Sequence, residues 1–256
     1  KTFTVNGGTI TEVAKLKHYT STTSHHSFVK VDADTYALAY AGSGNDGYIK
    51  TFTIPADGSS ITQAGEFEHD TDQARYNSFV HFVGGGADTY VLSYQGPGDD
   101  GFIKTFTISA DGTTITQVAA LEHDQTYAID NSLIKTNVNT FALAYGGDGD
   151  DGYIKTFTIP ADGSSITQVI TLEHNQSNGR YNSLVQIDAD SYALAYYDED
   201  NDGQIRTFNT VAAATSTVPR ISSVALAADN STVAVTFNEP VYSTNGGSGS
   251  LEKNDF

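Results

Sequence analysis

Lys155-Thr156-Phe157-Thr158 runs into Ile159-Pro160-Ala161-Asp162-Gly163, an extended stretch followed by a tight turn, and the phrase recurs. It stands as Lys1-Thr2-Phe3-Thr4, Lys50-Thr51-Phe52-Thr53 and Lys104-Thr105-Phe106-Thr107, and in weaker form as Arg206-Thr207-Phe208-Asn209. Taken in chain order, successive copies start 49, 54, 51 and 51 residues apart. A period of about 50 residues filled with Thr, Val, Ile, Tyr and Phe belongs to strand repeats, because helical repeats are shorter or lack this pattern. No stretch sustains a helical period of 3.6.

Each repeat divides into four short runs. In the third full copy they are residues 131–136, 140–145, 152–159 and 166–173. The first two runs are joined by Asp32-Ala33-Asp34, Val138-Asn139 or Asp188-Ala189-Asp190. The last two are joined by Asp57-Gly58, Asp111-Gly112 or Asp162-Gly163, a hairpin signal because Gly accepts positive φ. An antiparallel meander of four strands at this length predicts a propeller blade. The expected fold is therefore all-β: a β-propeller of four-stranded antiparallel blades. Residues 1–18 supply a half blade, full blades lie near 25–70, 77–124 and 131–175, and a last one occupies 182–209. About four and a half repeats fall short of a comfortable ring, and the chain opens in mid-repeat without a Met. It is expected to be a piece of a longer polypeptide. A linear array is the other arrangement, but it would leave strand edges open.

Composition narrows the function classes. The formal charge of −18 argues against a nucleic-acid groove and against anionic lipid, and it suits solubility or the attraction of cations. No apolar run approaches a membrane span, so no membrane insertion is expected in this segment. The absence of Cys removes thiolate metal sites, Cys nucleophiles and disulfides.

Up-and-down blades place the second-to-third turn and the blade-to-blade link at one end. Acidic glycine loops therefore share a rim with links rich in His, Arg, Tyr and Asn. The loops are residues 42–47, 96–101, 147–152 and 198–203. The candidate ligand-binding residues of the links are His69, Arg75, Tyr76 and Asn77, then His123 and Asn131, then His174, Arg180, Tyr181 and Asn182. Tyr beside Arg can present an aromatic face and a forked donor to a sugar. The histidines have a second reading, as structural ties between blades. Asp198, Asp200 and Asp202, closed by Gly203, have the alternating carboxylate spacing of a Ca²⁺ turn, with an ordinary hairpin as the other reading. Tyr36, Tyr40, Tyr90, Tyr94, Tyr145, Tyr192 and Tyr196 read as core between blades. The clearest departures from the repeat are His25-His26 and the Asp198–Asp202 loop, and neither brings a nucleophile, base and orienter together.

From Thr210 the composition shifts, and residues 210–219 read as a linker. Beyond it, Val235-Thr236-Phe237, Glu239-Pro240-Val241-Tyr242, the Gly246–Gly249 loop and Asp255-Phe256 resemble the opening strands of bacterial Ig-like (SbsA-type) domains, so 220–256 is expected to be an incomplete one. The repeats are similar to those of large marine-bacterial surface proteins. The resemblance implies an extracellular or cell-surface bacterial location and a non-catalytic binding or adhesion module, whose partner is a glycan, a surface protein or calcium. A propeller-type carbohydrate-active enzyme (glycoside hydrolase or lyase) and a structural spacer are the alternatives.

Overall fold

A computed structural model describes residues 1–82, 89–188, 191–200 and 202–209, together with the backbone of two strands near the C-terminus. The chain divides into two units, Lys1–Thr210 and Val211–Phe256. In the second, Ile221–Leu226 pairs antiparallel with Val233–Phe237. The linker and the rest of the Ig-like expectation lie outside the described residues.

The first unit is a succession of antiparallel meanders, as expected of propeller blades. It opens with a two-stranded sheet, β1 (Thr2–Asn6) and β2 (Thr9–Ala14). The first full blade is β3 (Ser24–Lys30), β4 (Thr35–Ala41), β5 (Gly47–Thr53) and β6 (Thr62–Asp70). The second is β7 (Arg75–Phe82), β8 (Thr89–Gln95), β9 (Gly101–Ile108) and β10 (Ile115–Asp124). The third is β11 (Ile129–Lys135), β12 (Thr140–Gly146), β13 (Gly152–Thr158) and β14 (Thr167–Asn175). A three-stranded sheet of β15 (Arg180–Gln186), β16 (Ser191–Tyr197) and β17 (Gly203–Asn209) ends the series. No helix among the described residues is long and apolar enough to cross a membrane.

The second strands of the three full blades are buried along almost their whole length, whereas β16 of the last sheet alternates. A strand with neighbours on both faces loses the in–out alternation, and here each blade is covered by the next. Tyr40, Tyr90, Tyr94 and Tyr145 are fully enclosed, as expected of core between blades, while Tyr36 is half-buried and stacks on Phe28. Across the strand pairs, Tyr40 stacks on Tyr48, Tyr94 on Phe102 and Tyr145 on Tyr153, each at 5.6 Å.

First strands touch in sequence, β3 with β7, β7 with β11 and β11 with β15, so they line the axis. A serine makes each of those joints. Ser27, Ser78 and Ser132 accept, through Oγ, the backbone N–H of Phe79, Leu133 and Leu184 in the following blade, at 2.9 Å each time. At the opposite edge, Thr35 and Thr89 donate to the carbonyls of Ala110 and Ala161, and Thr105 to that of Gly163. The Ala-Asp-Gly turns thus do two jobs: they reverse the chain and they receive the preceding blade. Gly112 shows why the residue is glycine. Its φ is +73°, and a Cβ there would stand 2.9 Å from Thr35 Cγ2.

Candidate functional site

The acidic loops and the links do share one end. Ala74, Ala128 and Gly179 of the links donate their N–H to the carbonyls of Asn45, Asp99 and Asp150 in the loops, at 2.8, 3.0 and 2.7 Å. Each loop presents that carbonyl by placing two consecutive residues in the left-handed region: Gly44-Asn45, Gly98-Asp99 and Gly149-Asp150. Asn and Asp tolerate this conformation better than most residues.

The histidines are a correction to the rim expectation. His69, His123 and His174 are only 5%, 6% and 7% exposed. Each ring lies edge-on to a tyrosine of the following blade, Tyr94, Tyr145 and Tyr196, at 5.0, 5.1 and 4.7 Å. Opposite sits a glycine of its own blade, Gly47, Gly101 or Gly152, whose Cβ would fall within 2.5 Å of the imidazole. The carbonyls of these histidines accept from Lys104, Lys155 and Arg206 of the next blade. Burial, with the neighbouring cation adding to it, holds the imidazoles of His69 and His123 at about 3 and that of His174 at about 4. In this position each ring ties two blades together, and His174 also borders a cleft with Glu173, Asn175 and Arg206. Lys155 also pairs with Asp124 at 3.3 Å, and Tyr145 donates to the same carboxylate at 2.7 Å. Burial opposes ionisation of Asp124, but these partners and Thr126 outweigh it and keep its carboxyl at about 2.

Asn77 and Asn182 have structural bonds of their own. Asn77 Nδ2 donates to the Ala74 and His25 carbonyls, and Asn182 Nδ2 to that of Gly179, bracing the link they follow. At Asn131 neither side-chain polar atom has a hydrogen-bond partner among the described residues.

What the structure gathers at the mouth of the axis is a different set. Four non-glycine residues, His25, Tyr76, Asp130 and Tyr181, stand at equivalent positions with φ of 53°, 51°, 53° and 54°. Each occupies a bulge in its first strand, between the residue paired at the rim and the joint serine. Arg75 and Arg180 therefore open strands β7 and β15 and do not belong to free links. The ring of His25 lies 4.5 Å from that of Tyr76. Asp130 accepts the N–H of Tyr181 at 2.8 Å and pairs with Arg180 Nε at 3.8 Å. Arg180 Nε also lies 3.7 Å from Asp150, and its guanidinium covers the Tyr181 ring at 5.4 Å. Tyr181 itself is 65% exposed. Burial, and then Asp130, raise the Tyr76 phenol, while burial, and then Arg75, lower His25. A cleft of about 290 Å³ beside them is outlined by Tyr127, Asp148, Gly149 and Asp150. The structure thus places Arg75-Tyr76 and Arg180-Tyr181 at equivalent positions of the mouth, where the charges of Asp130 and Arg180 reach Tyr76. Sequence reading marked His25-His26 as a departure from the repeat but left both His25 and Asp130 out of the candidate binding residues. The signal was available: the two residues that open the approach to each joint serine run Ser24-His25, Arg75-Tyr76, Ile129-Asp130 and Arg180-Tyr181, while the serine itself does not change.

The carboxylates expected to hold calcium belong to the turn between β16 and β17. Asp198 is buried and its Oδ1 accepts the N–H of Asp200 and of Asp202, both at 3.2 Å, which closes the turn on itself. No group of three or more His, Asp or Glu side chains among the described residues is arranged to hold a metal ion.

No protein-family model matches the sequence, and no curated relative does. Among solved structures, the chain is similar to a periplasmic gluconolactonase of Pseudomonas aeruginosa at TM-score 0.57 and 14% identity, over 92% of this chain and 70% of that one. It is similar to a protein of unknown function from Dyadobacter fermentans at TM-score 0.50 and 14% identity, over 70% of this chain. It spans half the length of that protein. At this identity the likeness establishes the propeller-like fold.

Proposed function

We propose that this chain is a non-catalytic binding module that holds a glycan at the mouth of the propeller axis, as part of an exported bacterial surface protein. One observation carries the reading. His25, Tyr76, Asp130 and Tyr181 keep a left-handed backbone that costs an L-residue about 1–2 kcal/mol. Yet this is where the repeat varies its chemistry. Strain that persists at a position whose side chain varies is a pointer to function, and at Tyr181 that side chain faces solvent. Tyrosine faces with carboxylate and guanidinium groups beside them suit a sugar ring, whose C–H face stacks and whose hydroxyls hydrogen-bond. The surface location draws on the bacterial Ig-like resemblance of the C-terminal residues.

The test is a glycan array with the wild-type chain and Tyr181→Gly. Glycine relieves the backbone at φ of 54° and removes a mostly exposed ring, so the variant should keep its melting temperature within a few degrees and lose retention. A flat array for the wild-type chain would reject the reading. The enzyme alternative needs two carboxyl groups free to act as acid and base across a substrate. At this mouth Asp130 and Asp150 both face Arg180. Turnover of any polysaccharide, abolished by Asp130→Asn, would favour the enzyme instead.

A further inference from the structure

Three joints between consecutive blades can be compared at the mouth, and their charges differ. At the third joint, Arg180 is met by two carboxylates of the preceding blade, Asp130 and Asp150. At the second, the same positions hold Tyr76, Asp99 and Ile129; there is no cation, and Asp99 accepts from Gln73 Nε2 at 2.9 Å. At the first, Arg75 stands where Arg180 does, but the two carboxylate positions are occupied by His25 and Asn45. Arg75 makes no ion pair and no side-chain hydrogen bond among the described residues. It is half-buried, beside the His25–Tyr76 ring pair. Of the two guanidinium groups at the mouth, Arg180 has its carboxylates and the half-exposed Arg75 has none among the described residues, which leaves its fork open to an anion.

We propose that Arg75 is the anchor for the carboxylate of an acidic sugar whose ring lies against Tyr76, an assignment that rests on the glycan-binding reading above. Five donors in a planar fork match a carboxylate bidentately. The overall negative charge does not prevent this, because screening at physiological salt confines the relevant field to about 8 Å. Asp130, whose charge acts on His25 and Tyr76, is already engaged by Arg180 and the Tyr181 amide. His25 and Asn45 contribute by being neutral, and Asn45 holds the loop whose carbonyl fixes Ala74, the residue before Arg75.

The experiment compares paired oligosaccharides: oligogalacturonates, their methyl esters, and sulfated neutral oligosaccharides. The proteins are wild type, Arg75→Gln and Asn45→Asp. The last is well suited to the fold, since Asp already occupies the equivalent positions 99 and 150 at φ of 68°. It supplies Arg75 with the counter-charge that Arg180 has. Wild type should bind the acid at least roughly tenfold more tightly than its ester, about 1.4 kcal/mol. Both variants should lose that preference while keeping whatever affinity they have for the ester. Binding of ester and acid alike by wild type, or an acid preference that survives in Arg75→Gln, overturns the anchor and leaves the glycan module standing. A preference for sulfated over carboxylated partners overturns the carboxylate assignment. Retention of no saccharide of any kind overturns both readings.

Discussion

Lowering the pH from 7 to 5 should unfold this propeller far more readily than its carboxylates would require. His69 and His123 have imidazoles held at about 3, against an ordinary 6.5, by burial and by the adjacent Lys104 and Lys155. The folded chain therefore refuses protons that the unfolded chain accepts, so stability is intact above about pH 6.5 and falls as the pH drops toward 3. Down to pH 5 each site traverses about 1.5 pH units at about 1.36 kcal/mol per unit, or about 2 kcal/mol, and the pair about 4 kcal/mol. His18, His25 and His174 are lowered as well and act in the same direction. Asp124, held at about 2, contributes only below the ordinary carboxylate range and leaves this window clear. The assay is urea unfolding at pH 7 and pH 5 for the wild type and for the double variant His69→Phe/His123→Phe. Phenylalanine keeps the flat ring, and neither ring nitrogen of these histidines has a hydrogen-bond partner among the described residues. The variant should fold at pH 7 and lose about 4 kcal/mol less than wild type on acidification. An identical pH dependence in the two proteins would refute the reasoning.

Gly101→Ala should destabilise by about 1–3 kcal/mol, read as a lower urea midpoint, because the new methyl group would lie 2.5 Å from His123 Cε1 and 2.8 Å from Ala128 Cβ. Lys155→Ala should cost about 3 kcal/mol or more by leaving the half-enclosed Asp124 carboxylate without its cation, and adding Asp124→Asn should restore part of the loss. Ser78→Ala should cost about 1 kcal/mol through the orphaned Leu133 N–H, with glycan retention unchanged. Thermal melts in calcium and in EGTA should coincide, since Asp198 is committed to two backbone amides; a shift of several degrees would revive the metal reading.

The fold was readable because two local signals repeat in phase. The Lys-Thr-Phe-Thr strand and the Ala-Asp-Gly turn fix strand count, strand order and the shared rim. The site was only half readable, for a physical reason. Arg75, Tyr76, Arg180 and Tyr181 announce themselves by residue type. His69 and His123 do as well, yet they are buried, because a one-dimensional pattern cannot distinguish the rim from the gap between blades. The glycines facing them are the missing clue: Gly47, Gly101 and Gly152 begin the third strand in every full repeat, which turn chemistry alone does not demand of all of them. Asp130 was overlooked for the opposite reason. Its importance lies in backbone conformation and in a partner 50 residues on in sequence, Arg180, and neither is encoded locally.

The joints have a sense of direction. An earlier unit offers a serine oxygen and a histidine carbonyl, and a later one brings an amide and a lysine or arginine to meet them. Any two neighbours therefore fit by the same plug and socket, whatever their place in the series. Successive copies can thus keep one set of contacts between them while the strained residue of the first strand changes from His25 to Tyr76 to Asp130 to Tyr181.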